Sequence, residues 1–147
     1  MFEWMFGKIN ELIEPTFEQC MQGAARGEPE AQYYLAQHYL DGRRVPQDWK
    51  RVRELLSASA RGGYPTAQVL LAGCYKCGTI GFTQDSVLAH SWYGVAALSS
   101  NRFWQSVAVE GRNKLEQMMS AEDVERAQEL TRKFLEEIES SEHRWAE

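Results

Sequence analysis

Apolar residues recur at three- and four-residue steps in segment after segment of this chain. Phe2, Met5, Phe6, Ile9, Leu12 and Ile13 form one stripe of a helix of about three turns. Pro15 ends that helix and can open the next at its first turn. Phe17, Cys20, Met21 and Ala24 carry a helical period on to Gly27, a stop. A helix is then expected over about 29–41, with Ala31, Leu35, Ala36 and Tyr39 inward, followed by the loop Gly42-Arg43-Arg44-Val45-Pro46. Asp48 is a good N-cap, because its carboxylate accepts the free backbone N–H groups of a first turn. Val52, Leu55, Leu56, Ser59 and Ala60 give the helix it opens a buried face, and Gly62-Gly63-Tyr64-Pro65 stops it.

That hairpin returns about 36 residues later. Ala31/Ala67, Leu35/Leu71, Ala36/Ala72, Tyr39/Tyr75 and Gly42/Gly78 are each 36 apart. Val52/Ala89, Leu55/Trp92, Leu56/Tyr93, Ser59/Ala96 and Ala60/Ala97 are each 37 apart, which places a one-residue insertion in the intervening loop. The second unit is expected as a helix over 66–77, the loop 78–82, an N-cap at Asp85 and a second helix. Self-similarity at this period marks a solenoid, whose units bury their apolar faces only against one another.

Beyond residue 101 the repeat loses its pattern. Residues 103–119 are helical by period, through Phe103, Val107, Leu115 and Met118. Ser120 caps a last helix, with Asp123 three residues on. Val124, Ala127, Leu130, Phe134, Leu135 and Ile138 make its stripe, and the opposite face is charged, with Glu129/Lys133 as an i,i+4 pair. Residues 140–147 are expected to fray.

The chain has 147 residues, 44% of them hydrophobic, enough for one domain with a sizeable core. The net charge of −5 is concentrated at the end: residues 110–147 hold six Lys or Arg against eleven Asp or Glu, and residues 1–109 hold ten of each. This is not the basic balance of a nucleic-acid binder. Three cysteines, Cys20, Cys74 and Cys77, do not make a disulfide framework. No apolar run reaches transmembrane length, and residues 1–4 lack a signal peptide's basic start, so a reduced, cytoplasmic protein without membrane insertion is expected.

The order Ala-x-x-x-Leu-Ala-x-x-Tyr-x-x-Gly, a short loop with Asp, then a helix ending in paired small residues is carried by two sets of residues. The first is Ala31, Leu35, Ala36, Tyr39, Gly42, Val45, Asp48, Lys50 and Ala60. The second is Ala67, Leu71, Ala72, Tyr75, Gly78, Asp85, Trp92, Tyr93, Ala96 and Ala97. Over about residues 24–138 the chain resembles the Sel1-like repeat (SLR) family, a subclass of tetratricopeptide-like solenoids. Arg44 stands where that family usually has a second loop glycine, and Ser59 stands for the first Ala of its Ala-Ala pair. The resemblance implies an all-α, right-handed α-solenoid of stacked hairpins, with an N-terminal cap helix and a C-terminal closing helix. One domain is expected: capping helices over 1–28, repeats over 29–64 and 65–101, and a degenerate hairpin over 102–140.

The chemistry-bearing residues give little support to catalysis. Cys74-Tyr75-Lys76-Cys77 is a C-x-x-C without the second pair that closes a structural zinc site, so packing is the expected role and no cofactor or metal is expected. His38, His90 and His143 have no sequence neighbours suited to a triad or a zinc pair, and each is expected as a surface or partly buried polar residue. No nucleophile motif or phosphate-cradling loop is present. Arg43, Arg44, Lys50, Arg51, Arg53 and Arg61 outnumber Asp48 and Glu54, and read as a solvated outer face.

The resemblance implies an adaptor role, not an enzyme: the partner is another protein or peptide, held in the concave groove lined by the first helix of each unit. By analogy with tetratricopeptide geometry, the residues facing it are Glu30, Tyr33, Gln37, Leu40 and Asp41, then Thr66, Val69, Gly73, Lys76 and Cys77, then Phe103, Ser106, Glu110, Asn113 and Lys114. Tyr33, Val69 and Phe103 are the expected apolar anchors, with Tyr33 outside the packing positions. The alternative is a self-associating protein, a homodimer through the apolar stripe of residues 2–13.

Overall fold

The computed structural model describes residues 14–143. They form seven helices: α1 (Phe17–Ala25), α2 (Pro29–Asp41), α3 (Trp49–Arg61), α4 (Pro65–Cys77), α5 (Ser86–Ala96), α6 (Arg102–Glu116) and α7 (Ala121–His143). The stripe at residues 2–13, with the cap or dimer contact expected of it, lies outside the described residues.

Local chemistry accounts for the helix ends. Thr16 caps α1: its hydroxyl accepts the Gln19 N–H at 3.2 Å, and the Gln19 side chain accepts the Thr16 N–H at 2.9 Å. Pro15 therefore precedes the cap instead of opening the first turn. Proline does open α2 and α4, at Pro29 and Pro65, where a missing N–H costs nothing. Both helices stop at a left-handed glycine, Gly42 at φ +66° and Gly78 at φ +67°. Asp48 and Asp85 then accept the N–H groups of Arg51 and Leu88 at 3.1 and 2.9 Å. The loop between them carries a second repeated bond. Gln47 donates its amide to the Leu40 carbonyl at 2.9 Å, and Gln84 donates to the Lys76 carbonyl at 3.1 Å.

The pairs α2/α3 and α4/α5 are the two hairpins, stacked through α3 on α4, with α1 covering α2. All five expected core positions of α3 are buried. Ser59 is buried at the place of the family's Ala and donates its hydroxyl to the Pro29 carbonyl at 2.6 Å, tying α3 to the start of α2.

Helix α5 departs from the expected single buried face: every residue from Ala89 to Ala97 is buried. The reason is that α4, α6 and α7 all lie against it. Two glycines permit this. A Cβ on Gly94 would sit 2.7 Å from Thr131 Oγ1 of α7, and one on Gly111 of α6 would sit 2.7 Å from the Tyr93 ring. Trp92 stacks on Phe134 of α7, with centroids 4.4 Å apart. Helices α6 and α7 make little direct contact, so they do not form a hairpin like the two before them. Instead α7 runs along α5 and touches α3, where Arg61 meets Glu137 at 2.8 Å.

Three details at this end differ from the pattern. Helix α6 turns Ala108 and Leu115 into the core, while Phe103 and Met118 are 65% and 76% exposed. The cause is that α6 packs through the face of Ala108, Gly111 and Leu115, with Gly111 against Tyr93 of α5. Glu129 pairs with Arg132, three residues on, instead of Lys133. The last helix continues through His143, past the point where fraying was expected.

Candidate functional site

The first helices α2, α4 and α6 carry the residues expected to face a partner. Tyr33, Leu40 and Val69 are half-buried and lean on the core, so they are not free of packing roles. Tyr33 in particular lies 5.3 Å from the Tyr64 ring and 5.4 Å from Tyr34, centroid to centroid. This corrects the view of Tyr33 as a side chain outside the packing. Burial pushes its phenol above the ordinary value. Gln37, Thr66 and Lys76 are half-buried; Glu30, Asp41, Cys77, Phe103, Ser106, Glu110 and Asn113 are exposed. Phe103 leans edge-on against Trp104, with centroids 4.8 Å apart. Glu110 accepts a hydrogen bond from Lys114 at 2.6 Å, which holds its carboxyl below the usual range.

Gly73 stands apart from Gly23, Gly62, Gly94 and Gly111. A Cβ at Gly23, Gly62, Gly94 or Gly111 would strike a neighbour at under 3 Å, whereas one at Gly73 meets nothing within 4 Å. Internal packing therefore gives no reason for a glycine there, although glycine weakens a helix interior by about 0.5–1 kcal/mol relative to alanine. Gly73 is the position 36 residues after Gln37 in the repeat.

The thiols are arranged for packing. Cys20 and Cys74 are buried, Cys77 is exposed, and all three are free. Burial pushes the Cys20 and Cys74 thiols up, away from the thiolate that reacts or binds metal. Among the described residues no three His, Cys, Asp or Glu side chains group as metal ligands. No helix among them is long and apolar enough to cross a membrane.

The basic stretch of residues 43–61 is partly engaged within the fold. Arg53 donates to the Ile80 carbonyl at 3.1 Å, Arg51 pairs with Glu54 at 3.4 Å, and Arg61 lies 5.6 Å from the Phe134 ring centre as well as on Glu137. That leaves Arg43, Arg44 and Lys50 as exposed cations.

His90 is the main correction among the titratable residues. Expected at the surface or partly buried, it is 1% exposed, because α4, α6 and α7 all lie against α5. Its Nε2 lies 2.7 Å from Glu116 Oε1 of α6. The partner is 26 residues away, and no local spacing announces it.

No family model matches this chain. Among solved structures, a protective antigen of uropathogenic Escherichia coli strains that displays an SLR fold superposes with a TM-score of 0.72 at 28% identity, over 83% of this chain and 25% of its own. A Sel1 repeat protein from Oxalobacter formigenes superposes with a TM-score of 0.55 at 26% identity, over 75% of this chain and 95% of its own. The chain thus spans about a quarter of the length of the first protein and nearly all of the second. Stacked hairpins of this kind present extended concave surfaces, the architecture of protein-interaction modules. The likeness in three dimensions and the repeat residues buried in both hairpins support a Sel1-like repeat solenoid as the fold of this chain.

Proposed function

We propose that this chain is a non-enzymatic adaptor that holds a segment of another protein along the face of its first helices α2, α4 and α6. The observation that carries the reading is Gly73, a glycine in mid-helix with open space where its side chain would be. A partner's backbone or bulky side chain fills that space. Gln37, Asp41 and Lys76 supply polar contacts beside it, and exposed Phe103, Ser106 and Glu110 extend the surface onto α6. Tyr33, Leu40 and Val69 form its apolar floor, held in place by the core beneath them. Pre-set anchors of this kind lower the ordering cost of binding.

The test is a peptide selected from a random library on the full chain, titrated against variants by calorimetry. Gly73→Ala should bind as wild type, and Gly73→Phe should lose about tenfold or more in affinity, which is about 1.4 kcal/mol. Unchanged binding by Gly73→Phe would place the partner elsewhere. Light scattering on the same samples reads the alternative, self-association through residues 2–13: a dimer that becomes a monomer when those residues are deleted.

A further inference from the structure

The two hairpins turn their corners in the same way, so each is a control for the other. After α2, Gly42 is left-handed, the Gln47 amide donates to the Leu40 carbonyl, and the Asp48 N–H donates to the Tyr39 carbonyl at 3.2 Å. After α4, Gly78, Gln84 and Asp85 repeat these features, with the Asp85 N–H on the Tyr75 carbonyl at 2.8 Å. The remaining side chains differ. Counted from the shared glycine, Arg43 and Arg44 stand where the second corner has Thr79 and Ile80. Counted from the shared aspartate, Trp49 and Lys50 stand where it has Ser86 and Val87. The second corner closes with no charge at these four positions, so the turn does not require the charges of the first.

Packing makes little use of them either. Arg43, Arg44 and Lys50 are exposed, and Trp49 is 50% exposed. None of the three cations forms an ion pair among the described residues. The later cations of the same stretch are used: Arg51 meets Glu54, Arg53 the Ile80 carbonyl and Arg61 Glu137. Of the two acids beside the patch, Asp48 is engaged with the Arg51 N–H, which leaves Asp41 against three cations. Lys50 also lies in the first turn of α3, which holds no acidic residue, and there the helix dipole disfavours a cation. An exposed tryptophan among unpaired arginines is the composition of a binding anchor, since Trp and Arg carry much of the energy of protein interfaces.

The sign of the patch calls for an anion, and its extent decides which. Charges are screened beyond about 8 Å at physiological ionic strength. A short acidic peptide therefore meets this corner alone. A nucleic acid or an anionic bilayer extends much further and also meets the negative charge concentrated in residues 110–147. We propose that the α2–α3 corner docks an acidic segment of a partner protein, its carboxylates on Arg43, Arg44 and Lys50 and an apolar side chain on Trp49. The inference goes beyond the α2/α4/α6 face and uses none of the residues assigned to it.

The experiment is a nitrogen–proton NMR titration of the full chain with acetyl-Asp-Glu-Phe-Asp-Glu-amide. Parallel samples receive acetyl-Asn-Gln-Phe-Asn-Gln-amide, a single-stranded oligothymidine and phosphatidylserine vesicles. The expected result is saturating shifts at the backbone amides of Arg43, Arg44, Lys50 and Arg51 and at the Trp49 indole N–H with the acidic peptide. Affinity should fall roughly tenfold or more for the Asn/Gln peptide and for the double variant Arg43→Gln/Arg44→Gln. Raising the salt from about 0.05 to 0.3 M should weaken binding as well. Lys50→Glu should abolish it without lowering the melting temperature, because it removes the cation opposed to the helix dipole. Equal binding of the Asn/Gln peptide, tighter binding of the oligonucleotide or the vesicles, retention of binding by both variants, or no shifts at these groups would each overturn the proposal. So would a salt-sensitive dimer, seen by light scattering without peptide and lost in Arg43→Gln/Arg44→Gln, since the patch would then receive the acidic helix of a second copy.

Discussion

Trp92 and Phe134 lie face to face, their ring centroids 4.4 Å apart and their planes 12° from parallel. One ring belongs to the second hairpin and the other to the last helix, 42 residues on, so this contact fastens α7 to the solenoid. Arg61 of the first hairpin adds its guanidinium at 5.6 Å from the Phe134 centroid. Phe134 thus joins α7 to both hairpins.

Phe134→Ala should therefore cost about 3–5 kcal/mol of stability through lost burial and a residual cavity. Urea denaturation followed by circular dichroism reads it directly. A loss below about 1 kcal/mol would mean that α7 contributes little to the folded core.

Two glycines of adjacent helices should respond in opposite directions to the same substitution. At Gly94 a new methyl group meets Thr131, a stiff β-branched side chain whose hydroxyl donates to the Ser91 or Ala127 carbonyl at 3.2 or 2.9 Å. Gly94→Ala should destabilise by about 1–3 kcal/mol. At Gly73 the methyl group enters open space, and Gly73→Ala should stabilise by about 0.5–1 kcal/mol. Parallel melts of the two variants check both signs. A stabilised Gly94→Ala would show that α7 is not held against α5 at this crossing.

Stability should fall on the alkaline side. Burial raises the thiols of Cys20 and Cys74 above 9.0, and the phenols of Tyr33, Tyr75 and Tyr93 above 10.0. The folded chain keeps these protons after the unfolded chain has released them. The stability they contribute is therefore complete below the ordinary thiol value and is lost as pH rises through and beyond it. Urea midpoints measured from about pH 8 to 10.5 should decline steadily. A flat profile would show that these groups are as solvated in the folded state as in the unfolded one.

In the same range Cys77 should alkylate within the native protein, while Cys20 and Cys74 should be modified only after unfolding. Exposure makes the difference, since Cys77 is open to solvent and the other two are buried. Mass spectrometry after a short iodoacetamide pulse distinguishes one adduct from three.

The hairpins were legible in the sequence because their determinants are local. Pro29 and Pro65, Gly42 and Gly78, and Asp48 and Asp85 act within a few residues of themselves, and the stripe from Val52 to Ala60 follows the pitch of one helix. The same period that exposed the repeat also carried the Gln47 and Gln84 loop bonds, which pair residues seven and eight apart. Where the pattern weakened, beyond residue 101, local reading still located the helices but not their partners. Only the tertiary structure decided that α7 lies along α5 instead of closing on α6, because that choice rests on Gly94 meeting Thr131 and Trp92 meeting Phe134. It likewise decided that Met118 faces solvent, that Tyr33 is braced by Tyr64, and that His90 is sealed inside against Glu116. Each of these is a contact between residues 26 to 42 positions apart, or the lack of one. Helical periodicity says which residues share a face, and not which face of which neighbour they will meet.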